Sequence, residues 1–199
     1  DWYTYPLRIR QGKLMKAIIN CARNEREMYA DTRWRALPTH VPSTVFNTRV
    51  EDYKGDFEWE EVSTWDLFGG KRVLLFSLPG AFTPTCSTYQ LPNFEKMAPE
   101  LKSKYNLDDI YCVSVNDSFV MNRWAKDNKL EHVKVIPDGS GKFTRQMGML
   151  VEKDDKGFGY RSWRYAMIVN DGIIEKIFEE PGKSDNCTTD PYGESSPEN

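Results

Sequence analysis

The stretch Val73-Leu74-Leu75-Phe76-Ser77-Leu78-Pro79-Gly80-Ala81-Phe82-Thr83-Pro84-Thr85-Cys86 decides the fold, because an apolar run ends in it and a helical pattern opens on a cysteine. Residues 73–78 are partly β-branched and aromatic and lie between Gly69-Gly70 and Pro79-Gly80, which predicts a buried strand. From 87 to 104 apolar residues recur at Leu91, Phe94, Met97 and Leu101. That spacing gives one buried helical face, with Pro92 and Pro99 as kink points. Cys86 therefore falls in the first turn of a helix that follows a strand.

This placement favours a reactive thiolate. Backbone N–H groups at a helix start are unsatisfied and the macrodipole is positive there, so the anion gains over the thiol. A free thiol titrates near about 8.5, whereas helix N-termini and nearby cations bring such groups to roughly 3.5–7.5. Thr83, three residues earlier, is placed to set its hydroxyl beside the sulfur as donor to the thiolate and acceptor from an incoming O–H. Pro79 and Pro84 lack N–H groups and fix φ, which stiffens the loop and shields the sulfur from water. A cysteine that only packs as a small hydrophobe belongs in an apolar segment. This one stands among Pro, Thr and Ser.

Outward from this stretch, Ile110-Tyr111-Cys112-Val113-Ser114-Val115 reads as a second buried strand. A crossover helix over 119–129, with Phe119, Trp124 and Leu130 packing inward, leads to a third strand at Val133-Lys134-Val135-Ile136-Pro137. Strand–helix–strand order implies parallel pairing with a right-handed crossover. The later half changes character: Tyr165-Ala166-Met167-Ile168-Val169, the turn Asn170-Asp171-Gly172 and Ile173-Ile174-Glu175-Lys176-Ile177-Phe178 form a β-hairpin. Upstream, residues 45–50 alternate like an edge strand, and 57–62 lead into a short capped turn at 63–69. A parallel βαβ half followed by a hairpin is the thioredoxin pattern: α/β, a central mixed β-sheet flanked by helices.

Pro79, Thr83 and Cys86 match the P-x-x-x-T/S-x-x-C signature, and the string LPGAFTPTCSTYQLPNF resembles the small type II branch of the peroxiredoxins. It is similar to bacterial forms and to the peroxiredoxin part of peroxiredoxin–glutaredoxin hybrids. The resemblance runs from about Val41 through Val113-Ser114-Val115-Asn116-Asp117, Pro137-Asp138-Gly139 and Met147-Gly148-Met149 to Arg164-Tyr165-Ala166 and Asp190-Pro191-Tyr192. It implies the same fold and a thiol-dependent peroxidase that reduces hydrogen peroxide and alkyl hydroperoxides. Cys86, Thr83, Pro79 and Arg164 correspond to its catalytic residues. Arg164 matches the arginine directed at the sulfur, with Arg161 and Arg145 as less favoured alternatives. Gln90, on the Cys86 side of the helix, is a candidate to orient Arg164 or the peroxide, or else a solvated helix position. The resemblance further implies no cofactor, a reductant that is glutathione with glutaredoxin or thioredoxin, and a homodimer. A peroxide-sensing module using the same cysteine without efficient turnover is the alternative.

Cys112, between Tyr111 and Val113, reads as a buried structural thiol, while Cys187 lies in a polar loop and is a candidate to resolve a sulfenic acid on Cys86. With Cys21 these make four cysteines without a C-x-x-C pair, and there are two histidines, so neither a zinc site nor a dithiol is indicated. The net charge of -3 argues for neither nucleic acid nor membrane as partner. No secretory signal is visible, which points to a reducing, cytoplasmic compartment. Residues 1–38 stand apart as a basic extension from a domain spanning 39–199. An organelle transit peptide, and hence an organelle matrix, is the competing reading, but Asp1, Glu25, Glu27 and Asp31 are the acids that transit peptides avoid. Ser195-Ser196-Pro197-Glu198 has the form of a helix start, from which a terminal helix truncated from this chain is expected.

Overall fold

A run such as Val73-Leu74-Leu75-Phe76 is stable in water only as a strand covered on both faces. The computed structural model, which describes residues 37–199, places it at the centre of a five-stranded sheet. In chain order the elements are β1 (Val45–Glu51), β2 (Phe57–Ser63), α1 (Thr64–Phe68), β3 (Arg72–Ser77), α2 (Leu91–Tyr105), β4 (Asp109–Ser114), α3 (Ser118–Asp127), β5 (Val133–Pro137), α4 (Lys142–Gln146), β6 (Leu150–Glu152), β7 (Tyr160–Ser162), β8 (Tyr165–Asn170) and β9 (Ile173–Glu179). The strand order is β5-β4-β3-β8-β9. The first three are parallel, and β8 and β9 add on antiparallel. This mixed sheet is the thioredoxin arrangement read from the sequence.

Side chains alternate across the sheet with period two and so feed two separate cores. Leu74, Phe76, Ile110, Cys112, Ala166 and Ile168 face one side, where α2 supplies Leu91, Phe94, Ala98 and Leu101, and α3 supplies Met121 and Trp124. Phe76 and Phe94 stack with ring centroids 4.0 Å apart. Val73, Leu75, Tyr111, Val113, Met167 and Val169 face the other side, under Phe46, Phe68, Phe143, Met147 and Trp163. Helix α2 runs through Pro99 without ending there, and Pro92 is its second residue. No helix among the described residues is long and apolar enough to cross a membrane.

Strand β1 pairs with β2 in a separate two-stranded ribbon, in which it is an edge strand. Phe119 does not pack inward: it is 59% exposed and meets Trp59 edge-on at 5.7 Å. The reason is phase. Asp117 caps α3, so the buried face is Ser118, Met121 and Trp124, and Phe119 falls one residue off it. Residues 194–198 form turns, and the Asn199 N–H donates to the Ser196 carbonyl at 3.2 Å. The Ser195 N–H and hydroxyl both donate to Glu180 Oε1, at 2.9 and 2.7 Å, which fastens this segment just past β9. The basic extension falls outside the described residues apart from Leu37 and Pro38.

Candidate active site

Strand β3 delivers the chain to its carboxyl end, where the loop 78–83 turns into a helix that begins at Pro84 and Thr85. Cys86–Gln90 then forms a π-helical turn, with the Leu91 N–H reaching the Cys86 carbonyl, before α2 continues. Such wide turns inside helices are frequent at functional sites. Phe82 takes a left-handed φ of 63°, which makes the loop compact enough to return into a helix. Side chains from elsewhere pin it. Asn116 Oδ1, just past β4, accepts from the Ala81 N–H at 3.0 Å and from the Ser114 hydroxyl at 2.6 Å. Arg161 Nη1 donates to the Pro79 carbonyl at 3.3 Å.

The Thr83 hydroxyl donates to the Gly80 carbonyl at 2.7 Å. Its proton is therefore committed to the loop and not to Cys86, leaving its lone pairs as acceptors. The Ser87 N–H bonds to the Thr83 carbonyl at 2.9 Å, so Thr83 opens the helix that carries the cysteine.

Cys86 is 1% exposed, and Arg164 Nη1 lies 3.5 Å from its Sγ. Arg164 enters from the start of β8, which pairs with β3 as neighbour, so sheet register brings two sequence-distant residues together. The same Nη1 donates to Gln90 Oε1, and Gln90 Nε2 donates to the Ser77 carbonyl at 3.4 Å. Gln90 is thus fully buried against Arg164 rather than solvated. Arg164 Nη2 donates to Asp190 Oδ1 at 2.5 Å, and Nε donates to the Pro191 carbonyl at 3.1 Å. Burial works against the Arg164 charge, but a Cys86 thiolate and Asp190 outweigh it, and the guanidinium is held above its ordinary value. Burial lowers Arg161, which also feels the charge of Cys86. Arg145 belongs to the last turn of α4.

Cys112 is fully buried in β4; burial, and then the charge of Cys86, push its thiol well up. Cys187 is partly buried in the loop after β9, with Sγ 3.4 Å from the Thr189 hydroxyl. That hydroxyl lowers the thiol by more than burial raises it. Among the described residues no group of three or more His, Cys, Asp or Glu is arranged to hold a metal ion. Sequence reasoning missed Asn116 and Asp190 as site residues. Both lay inside stretches that carried the resemblance, but nothing in their spacing pointed at Cys86.

A thioredoxin-type sheet with a buried cysteine at a helix start and an arginine on its sulfur defines a class of thiol oxidoreductase, and comparison with known proteins narrows it. The redoxin family model matches residues 50–193. A peroxiredoxin of Rhizobium etli is 61% identical over 167 residues, which cover 82% of this chain and 93% of that one. The crystal structure of a Plasmodium falciparum antioxidant protein, a 1-Cys peroxiredoxin, superposes with a TM-score of 0.76 at 36% identity, covering 80% of this chain and 93% of that one. Reduced Prx3 from Vibrio vulnificus, solved in complex with hydrogen peroxide, gives 0.70 at 33% identity, covering 82% and 95%. The chain belongs to the redoxin family and, within it, to the peroxiredoxins, thiol-dependent peroxidases that reduce peroxides through a cysteine.

Proposed function

We propose that Cys86 is the peroxidatic cysteine, with Arg164, Thr83 and Pro79 completing its site. The observation that carries this reading is the 3.5 Å approach of Arg164 Nη1 to Cys86 Sγ at the opening of a helix. The Cys86 thiolate attacks the terminal oxygen of a hydroperoxide, the O–O bond breaks, and the sulfur takes one oxygen as sulfenic acid while water or an alcohol leaves with a proton. Sulfur supplies both electrons, so no cofactor enters. Negative charge builds on the leaving oxygen. Arg164 and the first helical N–H groups favour that charge more than they favour the ground state, and the Thr83 oxygen accepts a hydrogen bond from the peroxide O–H.

With Cys86 only 1% exposed, the site suits small oxidants, hydrogen peroxide and short alkyl hydroperoxides. The similar Vibrio vulnificus protein was solved with hydrogen peroxide. An external thiol then condenses with the sulfenic acid, releasing water, and a second thiol restores Cys86 and leaves as the disulfide. Glutathione with glutaredoxin, or thioredoxin, fills that role. The enzyme works as a cytoplasmic homodimer. Steady-state peroxide consumption with excess glutathione and glutaredoxin, or with thioredoxin, tests the reading. The parent turns over repeatedly and Cys86→Ser does not. Undiminished turnover by Cys86→Ser contradicts the assignment, and a single stoichiometric burst from the parent favours a peroxide sensor instead.

A further inference from the structure

The Arg164 fork is gripped from two sides, and the sequence motif accounts for only one of them. On the thiol side Nη1 meets Cys86 Sγ and Gln90 Oε1. On the other side Nη2 meets Asp190 Oδ1, Nε meets the Pro191 carbonyl, and the Tyr192 ring lies 5.6 Å from Cζ. One carboxylate therefore grips the arginine from the side away from the sulfur.

We propose that Asp190 is a positioning residue for the peroxidase reaction: by accepting from Arg164 Nη2 it orients the guanidinium plane so that Nη1 points at the reacting sulfur. This rests on the reading of Cys86 and Arg164 given above. A guanidinium is planar and rigid, so fixing Nε and Nη2 fixes the direction of Nη1. Arg164 is only 2% exposed, while Asp190 keeps 45% of its side chain in solvent. The carboxylate is thus an anchor reached from the surface. It stays ionised: burial would raise it, but Arg164, Thr85 and the buried Lys153 hold it below the usual carboxylate range.

The loop that carries Asp190 is held at both ends. Near its start, Asp185 Oδ1 accepts from the Glu152 N–H at 2.8 Å and the Asn186 N–H donates to the Glu152 carbonyl at 2.7 Å. Near its end, Glu180 Oε1 accepts from the Gly193 and Ser195 N–H groups at 2.8 and 2.9 Å. Asp190 is therefore presented by an ordered segment, which is what positioning to a fraction of an ångström requires.

The sign of the effect separates positioning from charge. As an anion near a thiolate, Asp190 by itself opposes ionisation of the sulfur. If charge were its whole influence, neutralising it would speed the reaction. If it positions Arg164, removing its oxygen slows the reaction, and an amide oxygen at the same place restores it.

Single-turnover stopped-flow kinetics with hydrogen peroxide on the parent, D190A, D190N, R164A and the R164A/D190A pair decides the matter. D190A is expected to lose about 10- to 100-fold in second-order rate constant, the penalty of a misplaced catalytic group. D190N, which keeps an acceptor, recovers to within about threefold of the parent. In the R164A background the second substitution adds no loss, because its target is gone. D190S, too short to reach Nη2, carries the same expectation as D190A where D190A does not fold. A parent-like rate in D190A or D190S, an equal loss with and without Arg164, or D190N as slow as D190A overturns the proposal. A parent that does not react with peroxide at all brings down the reading of Cys86 and this inference with it. A reactive parent with an indifferent Asp190 removes the inference alone.

Discussion

Cys86 and Cys112 are both fully buried thiols next to the same sheet, and their partners separate them. Cys86 has a cation on its sulfur, whereas Cys112 lies mid-strand in the core, where burial keeps it protonated. A protonated thiol is a poor nucleophile. Cys112→Ser is therefore expected to retain peroxide turnover in the assay that Cys86→Ser fails, and loss of turnover in both would mean that the chemistry is shared. The Cys86 placement was legible because strand, turn and helix start are all encoded within one local stretch. Arg164 was legible only through family resemblance, since its approach depends on β8 lying beside β3. Gln90 was half legible: helical spacing gave its direction, but burial against Arg164 needed the third dimension. Asp190 and Asn116 were illegible because each acts across a long sequence gap from a loop.

At the scale of elements, the β8–β9 hairpin shows how local chemistry sets register. Asp171 and Gly172 occupy the turn with φ of 47° and 78°, the left-handed pair that suits the twist of a two-residue hairpin. Asp171 Oδ1 also accepts from the Gly70 N–H at 2.6 Å, fastening the turn beside the start of β3. A Cβ on Gly172 would meet nothing within 4 Å. Gly172→Ala is thus predicted to cost backbone strain alone, about 1–2 kcal/mol. A drop in the urea midpoint at constant m-value checks this, and an unchanged midpoint contradicts it. Strands and hairpin were readable for the same reason as this turn, because their signals are local. The misplaced inward face of α3 has the opposite origin. Its phase is fixed by the Asp117 cap, whose side chain accepts from the Val120 N–H at 2.9 Å, and a shift of one residue moves Phe119 from core to surface.

At the scale of the molecule, the carboxylates of Glu95, Glu180 and Asp190 are among those that join segments distant in sequence. Glu95 on α2 accepts from the N–H groups of Glu131, His132 and Val133. Glu180 closes the C-terminal loop, and Asp190 joins that loop to the active site. For each, burial raises the carboxyl, but the donors outweigh it and the folded group is held below its ordinary range. A carboxyl lower in the folded than in the unfolded chain contributes stability that is fully present above the unfolded value, about 4, and lost as pH falls through the folded one. Glu152, raised by its hydrogen bond to Asp154, works in the opposite sense from an exposed position. The urea midpoint is therefore expected to hold steady from pH 7 to about 5 and to fall below about 4; a midpoint that rises on acidification contradicts this. Peroxidase chemistry at this site requires that one particular sulfur meet the oxidant first. Treatment of the reduced protein with one equivalent of hydrogen peroxide, trapping of sulfenic acid and peptide mass mapping locate that sulfur directly. The prediction is a single oxygen or its trapped adduct on the Cys86 peptide, with Cys112 unmodified; first oxidation at Cys112 or Cys187 with Cys86 still a free thiol would contradict it.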